Sequence, residues 1–267
     1  MCSSDLYDVS IVNPTTLIKT NTSDQSTEWY QRGGTLVGDD DPAIQGFGSS
    51  IGYSASGPHF FHRLVVGSDS GHVRAYRYRW SNDTVPKWQR LDGGLLDPST
   101  NTTGKAVVAM AGAGVRFAVG YPNLGKVSIY RFSDEFVIDK YSGMSHIELV
   151  DEVYSENGDS FDVFGRSLSL DAFGNFLIVG AKGYARAYWL RPTPSSVVGF
   201  ELIPAGDSIA GGESDGDEFG AVVASGRVPL HNDGCVSCPF ILGLIPHRTL
   251  CSSLTFVLST YKTPEVC

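Results

Sequence analysis

Serine and glycine at Ser50, Gly52 and Ser54 alternate with Ile51 and Tyr53, and Ser167 and Ser169 alternate with Leu168 and Leu170. Alternation with a period of two marks a half-buried strand, and the small residues on one side predict close packing near a crowded axis. Farther along, three runs that are apolar on both faces end in glycine: Leu64-Val65-Val66-Gly67, Phe117-Ala118-Val119-Gly120 and Leu177-Ile178-Val179-Gly180. Such runs predict buried central strands. A third strand carries Tyr76, Tyr130 or Tyr188, and a fourth opens on Trp88, Ile147 or Phe200, with an earlier relative at Trp29. No long stretch places apolar residues at helical spacing.

These patterns recur. Gly67 and Gly120 are 53 residues apart, and Gly120 and Gly180 are 60 apart. The clearest copies open on Phe47-Gly48 and Phe164-Gly165, a degenerate one on Gly104-Lys105, and a fourth on Phe219-Gly220. A repeat of this length means one supersecondary unit used several times. Four short strands per unit predict an all-β fold, a β-propeller of four-stranded antiparallel blades, with about four blades or a partial arc of a larger ring. The division expected is propeller repeats over 1–230 (a half blade at 5–36, units at 46–92, 103–150 and 163–203, and a partial unit at 218–230) and an irregular cysteine-containing tail at 231–267. Val9 to Val12 should be strand, and its partner should tell whether the end halves share a sheet.

Composition narrows the function. Of 267 residues, 42% are hydrophobic, enough for a core, and 31 are glycine, which suits tight turns between short strands. A net charge of −9 speaks against nucleic acid as a partner, since binding it needs a basic face. Met1-Cys2-Ser3-Ser4-Asp5 has no basic n-region and no apolar run follows, so no signal peptide is read there. The apolar stretch from Pro239 to Pro246 is far shorter than the roughly 20 residues a spanning helix needs, so membrane insertion by this chain is not expected. Asn21, Asn82 and Asn101 each begin a glycosylation sequon between predicted strands. They favour a glycoprotein in an extracellular or cell-surface setting, against the missing signal, and chance sequons in a Ser/Thr-rich chain are the other reading.

The ordered landmarks resemble the FG-GAP repeat of integrin-α-like propellers, over about residues 9 to 226. That repeat runs from Phe-Gly through an alternating strand to (Val/Ile)-Gly-Ala-Pro and then Gly-x-Val-x-Val-Tyr. Here the elements are Phe47-Gly48, Val66-Gly67-Ser68 and Gly71-His72-Val73-Arg74-Ala75-Tyr76; then Val119-Gly120-Tyr121-Pro122 and Gly125-Lys126-Val127-Ser128-Ile129-Tyr130; then Phe164-Gly165, Val179-Gly180-Ala181 and Ala185-Arg186-Ala187-Tyr188. No copy keeps the full Gly-Ala-Pro. The family is typically seven-bladed, which implies an arc of a larger ring rather than a small closed one. It also implies calcium in an acidic loop between strands one and two. The matching turns, Ser54-Ala55-Ser56-Gly57, Ala111-Gly112-Ala113-Gly114 and Asp171-Ala172-Phe173-Gly174, hold one aspartate among them, and calcium wants six to eight oxygens.

Candidate chemistry is sparse. Two acidic loops precede Phe-Gly steps: one contains Asp159 and Asp162, the other Asp215, Asp217 and Glu218. One reading is a polar-ligand or calcium site at a propeller face. The other is Gly-Asp turns leading into the inner strand. No cofactor is expected. Cys235 and Cys238 form a C-x2-C pair, and with Cys251 and Cys267 they admit zinc, disulfides or free thiols. No nucleophile elbow, zinc-protease motif or Walker sequence occurs. Tyr76, Tyr130 and Tyr188 recur once per copy, which favours packing between sheets over sugar stacking. By the resemblance, the expected function is a non-catalytic, adhesion-like module that recognises protein or glycan through propeller-face loops. The alternatives are a hydrolase acting on carbohydrate or lipid in the propeller funnel, or a truncated copy of a larger receptor-like protein.

Overall fold

A computed structural model describes residues 7–9, 29–31, 34–38, 44–55, 62–79, 87–91, 104–133, 146–156, 162–193, 199–210, 219–227, 239–244 and 256–260. The strands in chain order are β1 Tyr7–Val9, β2 Trp29–Gln31, β3 Ser50–Ser54, β4 Arg63–Gly67, β5 Val73–Arg79, β6 Lys87–Arg90, β7 Val107–Met110, β8 Arg116–Tyr121, β9 Lys126–Ser133 and β10 His146–Tyr154. They continue with β11 Ser167–Leu170, β12 Phe176–Gly180, β13 Tyr184–Pro192, β14 Phe200–Pro204, β15 Ile209–Ala210, β16 Val223–Arg227, β17 Pro239–Leu244 and β18 Phe256–Thr260. Among the described residues no helix is long and apolar enough to cross a membrane.

Three antiparallel meanders form the body: β3-β4-β5-β6, β7-β8-β9-β10 and β11-β12-β13-β14, with β15 also pairing β13. The inner strands stand side by side, β3 against β7, β7 against β11 and β11 against β16. Sheets whose first strands gather while the others extend outward are the blades of a β-propeller. The runs read as central strands are β4, β8 and β12, and β4 and β12 are buried throughout.

Each sheet packs one face on the next. Val65, Val73 and Ala75 of the first lie against Val108, Phe117, Val119 and Phe132 of the second. Ala118, Val127 and Ile129 of the second lie against Leu170, Leu177, Val179 and Tyr188 of the third. Each valine, leucine, isoleucine or phenylalanine among them contributes about 1.5–3 kcal/mol on full burial. The recurrent tyrosines belong to this packing. Tyr76 and Tyr188 are buried, and the half-buried Tyr130 stacks on Phe117 at 5.2 Å.

The Phe-Gly step is a turn. Ser49 N–H donates to Gly46 O and Arg166 N–H to Val163 O, both at 3.0 Å, while Gly48, Gly165 and Gly220 hold φ of +90°, +91° and +80°. A positive φ in the third place of a turn requires glycine. The same glycines donate to the end of the central strand, Gly48 N–H to Gly67 O and Gly165 N–H to Gly180 O at 3.0 Å.

At the chain's ends one open question is answered among the described residues and one expectation is corrected. β1 pairs β2, Val9 opposite Trp29, as the outer half of a blade would; residues 10–12 lie outside the described set. That pair is a sheet of its own, separate from β16-β17-β18, so among the described residues the end halves share no sheet. The tail is also not irregular throughout: β17 pairs β16 and β18 pairs β17, both antiparallel, which extends the partial fourth unit to three strands. Pro239–Leu244 carries none of the Phe-Gly or Gly-x-Val landmarks, and what makes it a strand is its non-local pairing with Val223–Arg227.

Candidate binding end

The Phe-Gly turns and the connections between second and third strands meet at one end of the array and lock to one another. Asp69 N–H donates to Gln45 O at 2.9 Å and Lys182 N–H to Asp162 O at 2.6 Å within single sheets. Ala106 N–H donates to Ser68 O at 2.8 Å and Gly183 N–H to Phe219 O at 3.0 Å between neighbouring ones. Asp162 is the anchor of the loop that enters the third sheet. Its carboxylate accepts from Ser155 Oγ, from Tyr184 OH at 2.6 Å and from Phe164 N–H at 3.1 Å. The outer strand of the second sheet is thereby tied to the third strand of the next.

Beside it, Val163 holds φ of +45°. A β-branched residue in the left-handed region is strained. Gly46 occupies the same place before Phe47, at φ +63° without that cost. Strain of this kind gathers at functional sites, and here it falls where an acidic loop joins the scaffold.

Burial, with the hydrogen bond donated to Asp162, pushes the Tyr184 hydroxyl well above the usual tyrosine range. Burial likewise pushes Tyr188 up to about 12, against the pull of Arg186. Arg186 pairs with Glu156. Glu152 gathers Lys126 Nζ at 2.9 Å, Ser128 Oγ at 2.7 Å and Tyr154 OH at 2.9 Å. Burial disfavours its charge, yet those three hydrogen bonds prevail and hold the carboxyl below the ordinary range. Asp69, Asn123, Tyr154, Glu156 and Lys182 are exposed and rim this end.

Of the acidic candidates, the structure places Asp162 in this anchor. Asp159, Asp215, Asp217 and Glu218 lie outside the described residues, as do Asn21, Asn82, Asn101 and the five cysteines. The two described turns between first and second strands do not fit calcium. Asp171 Oδ1 already accepts from Asn175 N–H at 2.7 Å and Phe176 N–H at 3.0 Å, and Ala111-Gly112-Ala113-Gly114 offers no carboxylate. Among the described residues no group of three or more His, Cys, Asp or Glu is placed to hold a metal ion. His62 and His72 bond locally, to Tyr53 OH at 2.5 Å and Ser70 Oγ at 3.1 Å.

Sequence reasoning missed the arginines that join sheets at the opposite end. Arg63 opens β4 and Arg116 opens β8. Arg63 donates to Gly114 O at 2.6 Å and lies over the Phe132 ring at 4.6 Å, while Arg116 donates to Phe173 O at 3.1 Å and Asn175 Oδ1 at 2.6 Å and lies over Phe200 at 4.9 Å. Each reaches the first turn of the next sheet. The signal was an arginine 4 residues before Gly67 and again 4 before Gly120.

The chain matches no protein-family model and no curated protein. Among solved structures it is similar to the Cps50 (Swd1) β-propeller domain of Myceliophteria thermophila, at 11% identity and a TM-score of 0.42, over 73% of this chain and 49% of that one. It is also similar to a putative 6-phosphogluconolactonase from Bacteroides uniformis, at 13% identity and a TM-score of 0.37, over 78% of this chain and 57% of that one. The chain thus spans about half the length of each.

Proposed function

We propose that this chain is a non-catalytic recognition module of the FG-GAP, integrin-α-like kind, which takes a protein or glycan partner at the end that carries its Phe-Gly turns. The observation that carries the reading is the division of roles there. The carboxylates of Asp162 and Glu152 are engaged in holding loops and strand ends, while Asp69, Asn123 and Lys182 are exposed beside them, as are Tyr154 and Glu156, which bond to Glu152 and Arg186. A rigid frame under a mixed polar and aromatic rim suits recognition, where adaptable polar groups and tyrosine supply most contacts. The left-handed glycines of the Phe-Gly turns support the family likeness, because they give that dipeptide a backbone reason to recur. Asp159, Asp215, Asp217 and Glu218 precede the Phe164-Gly165 and Phe219-Gly220 steps in the sequence, and they suit a partner that offers cationic or hydroxyl groups.

The test replaces those four acids by their amides and compares the variant with the wild type on a printed glycan panel and a panel of purified extracellular protein domains. Binding weakened about tenfold or more, equivalent to about 1.4 kcal/mol, with an unchanged circular dichroism spectrum supports the proposal. Wild-type turnover of chromogenic glycosides or esters that the variant loses would replace it with the hydrolase reading.

A further inference from the structure

We infer that the second sheet, at the end that carries the Phe-Gly turns, holds a saccharide site in which Tyr121 and Tyr154 meet the ring faces of a neutral sugar and the Lys126–Glu152 pair takes its hydroxyls. The inference rests on the recognition reading above and names its ligand. Tyr121 on β8 and Tyr154 on β10 both lie opposite Lys126 on β9, so the three side chains share one face in the last row of the sheet. Two strand spacings, about 10 Å, separate the two tyrosines. Ser128 and Glu152, opposite each other, form the next row on that face. The Lys126 ammonium stands 5.6 Å from the centre of the Tyr121 ring and 2.9 Å from Glu152 Oε1. Ser128 Oγ donates to Glu152 Oε1 at 2.7 Å, and Tyr154 OH donates to Glu152 Oε2 at 2.9 Å. Ring, ammonium, carboxylate and ring thus form one continuous surface. Tyr121 packs against the core between the first and second sheets. Tyr154 is 58% exposed, and the side chains of Lys126 and Glu152 keep 24% and 26% of their surface open.

The chemistry of this surface selects the ligand class. Lysine and glutamate cancel in charge, so neither an anion nor a cation gains a net attraction there. Of the three donors on an ammonium, one goes to Glu152, and of the roughly four acceptor sites on a carboxylate, three are taken. The pair therefore keeps donors and an acceptor side by side. A sugar hydroxyl both donates and accepts, so neighbouring hydroxyls satisfy the ammonium and the carboxylate together through charge-assisted bonds. The C–H faces of the sugar ring meet the apolar bodies of the tyrosines, whose hydroxyl ends stay wet. A protein partner fits less well. The centre of a protein interface is depleted of charged residues, and burying this ion pair under apolar groups would strip its solvation without replacing the lost bonds. A saccharide replaces them.

A printed array of neutral oligosaccharides, followed by titration calorimetry with the best-bound member, tests this on the full chain. The variants are Tyr154→Ala, Tyr154→Phe and Lys126→Gln, each checked for folding by circular dichroism. The wild type should bind a neutral glycan, with an affinity that changes less than about twofold between low and high salt. Tyr154→Ala should weaken it about tenfold or more, and Tyr154→Phe, which keeps the ring, should stay within about threefold. Lys126→Gln keeps both rings and should also weaken binding about tenfold, and it decides the matter if Tyr154→Ala does not fold. A wild type that binds no neutral glycan overturns the inference. So does a glycan held equally well by Tyr154→Ala and Lys126→Gln, and so does binding confined to acidic glycans that salt abolishes. A chain that takes a purified protein domain but no glycan overturns this inference and leaves the recognition reading standing; one that takes neither overturns both.

Discussion

Gly120 and Gly165 lie in adjacent sheets with their backbones in contact: a Cβ on Gly120 would overlap the Gly165 carbonyl oxygen and stand 3.2 Å from Gly165 Cα. Gly67 meets Ala106 O, and Gly180 meets Gly220 O, in the same way. The glycine at or next to the end of each central strand is therefore where the start of the next sheet touches down. This gives the repeated Val-Gly step a packing cause. Gly120→Ala should destabilise the chain by about 2–3 kcal/mol, because backbone on both sides has to move. Gly34→Ala, whose Cβ meets nothing within 4 Å, should stay within about 0.5 kcal/mol of wild type. Urea denaturation of the two variants measures the difference.

The Asp162 anchor predicts an ordered series. Asp162→Ala leaves Tyr184 OH and Phe164 N–H without their acceptor and should cost about 2–3 kcal/mol. Tyr184→Phe removes one bond and should cost about 1 kcal/mol. Val163→Gly should instead stabilise by about 1 kcal/mol, since release of left-handed strain outweighs the added chain entropy. Thermal melts rank the three.

Arg116→Lys keeps the charge but loses the planar group that spans Phe173 O, Asn175 Oδ1 and the Phe200 ring. A loss of about 1–2 kcal/mol is expected. A double-mutant cycle with Phe200→Leu should show coupling, and additive effects would mean that the ring contact contributes nothing.

Alkaline stability should depend on Tyr188. Its hydroxyl is raised from 10.0 to about 12, chiefly by burial, so the folded chain holds the proton more tightly than the unfolded one. That contribution is complete below pH 10 and is lost as pH rises towards 12. The shift at Tyr184 acts in the same sense. Tyr188→Phe should flatten the fall of melting temperature across this window, read beside the tyrosinate absorbance of the wild type.

What the sequence made legible was whatever repeats locally. The small-residue alternation at Ser167 and Ser169 pointed to a crowded neighbour, and Ser225 is that neighbour. Phe-Gly and Val-Gly announced a turn and a strand end before their joint reason, contact between sheets, was visible. Asp162 stands in an acidic loop that admits either a ligand site or a turn; its bond to the Phe164 amide two residues on is local, whereas those to Ser155 and Tyr184 depend on which strands become neighbours. The arginine contacts stayed hidden for the same reason: Phe132 and Phe200 lie far along the chain from Arg63 and Arg116. Asp151 is a third case. It accepts the Leu202 amide at 2.6 Å and so satisfies a donor on the outer strand of the next sheet.

The most direct test of the radial array is a cross-link between inner strands that share no hydrogen-bonded sheet. Ser169 Oγ and Ser225 Oγ are 2.8 Å apart across two sheets. With the native cysteines replaced by serine, the pair Ser169→Cys and Ser225→Cys should form a disulfide readily under mild oxidation, while Ser169→Cys paired with the exposed Val37→Cys should not. Rapid bridging of the first pair alone is the predicted result. Failure of that pair to bridge in a folded chain would contradict the arrangement of sheets around a common centre.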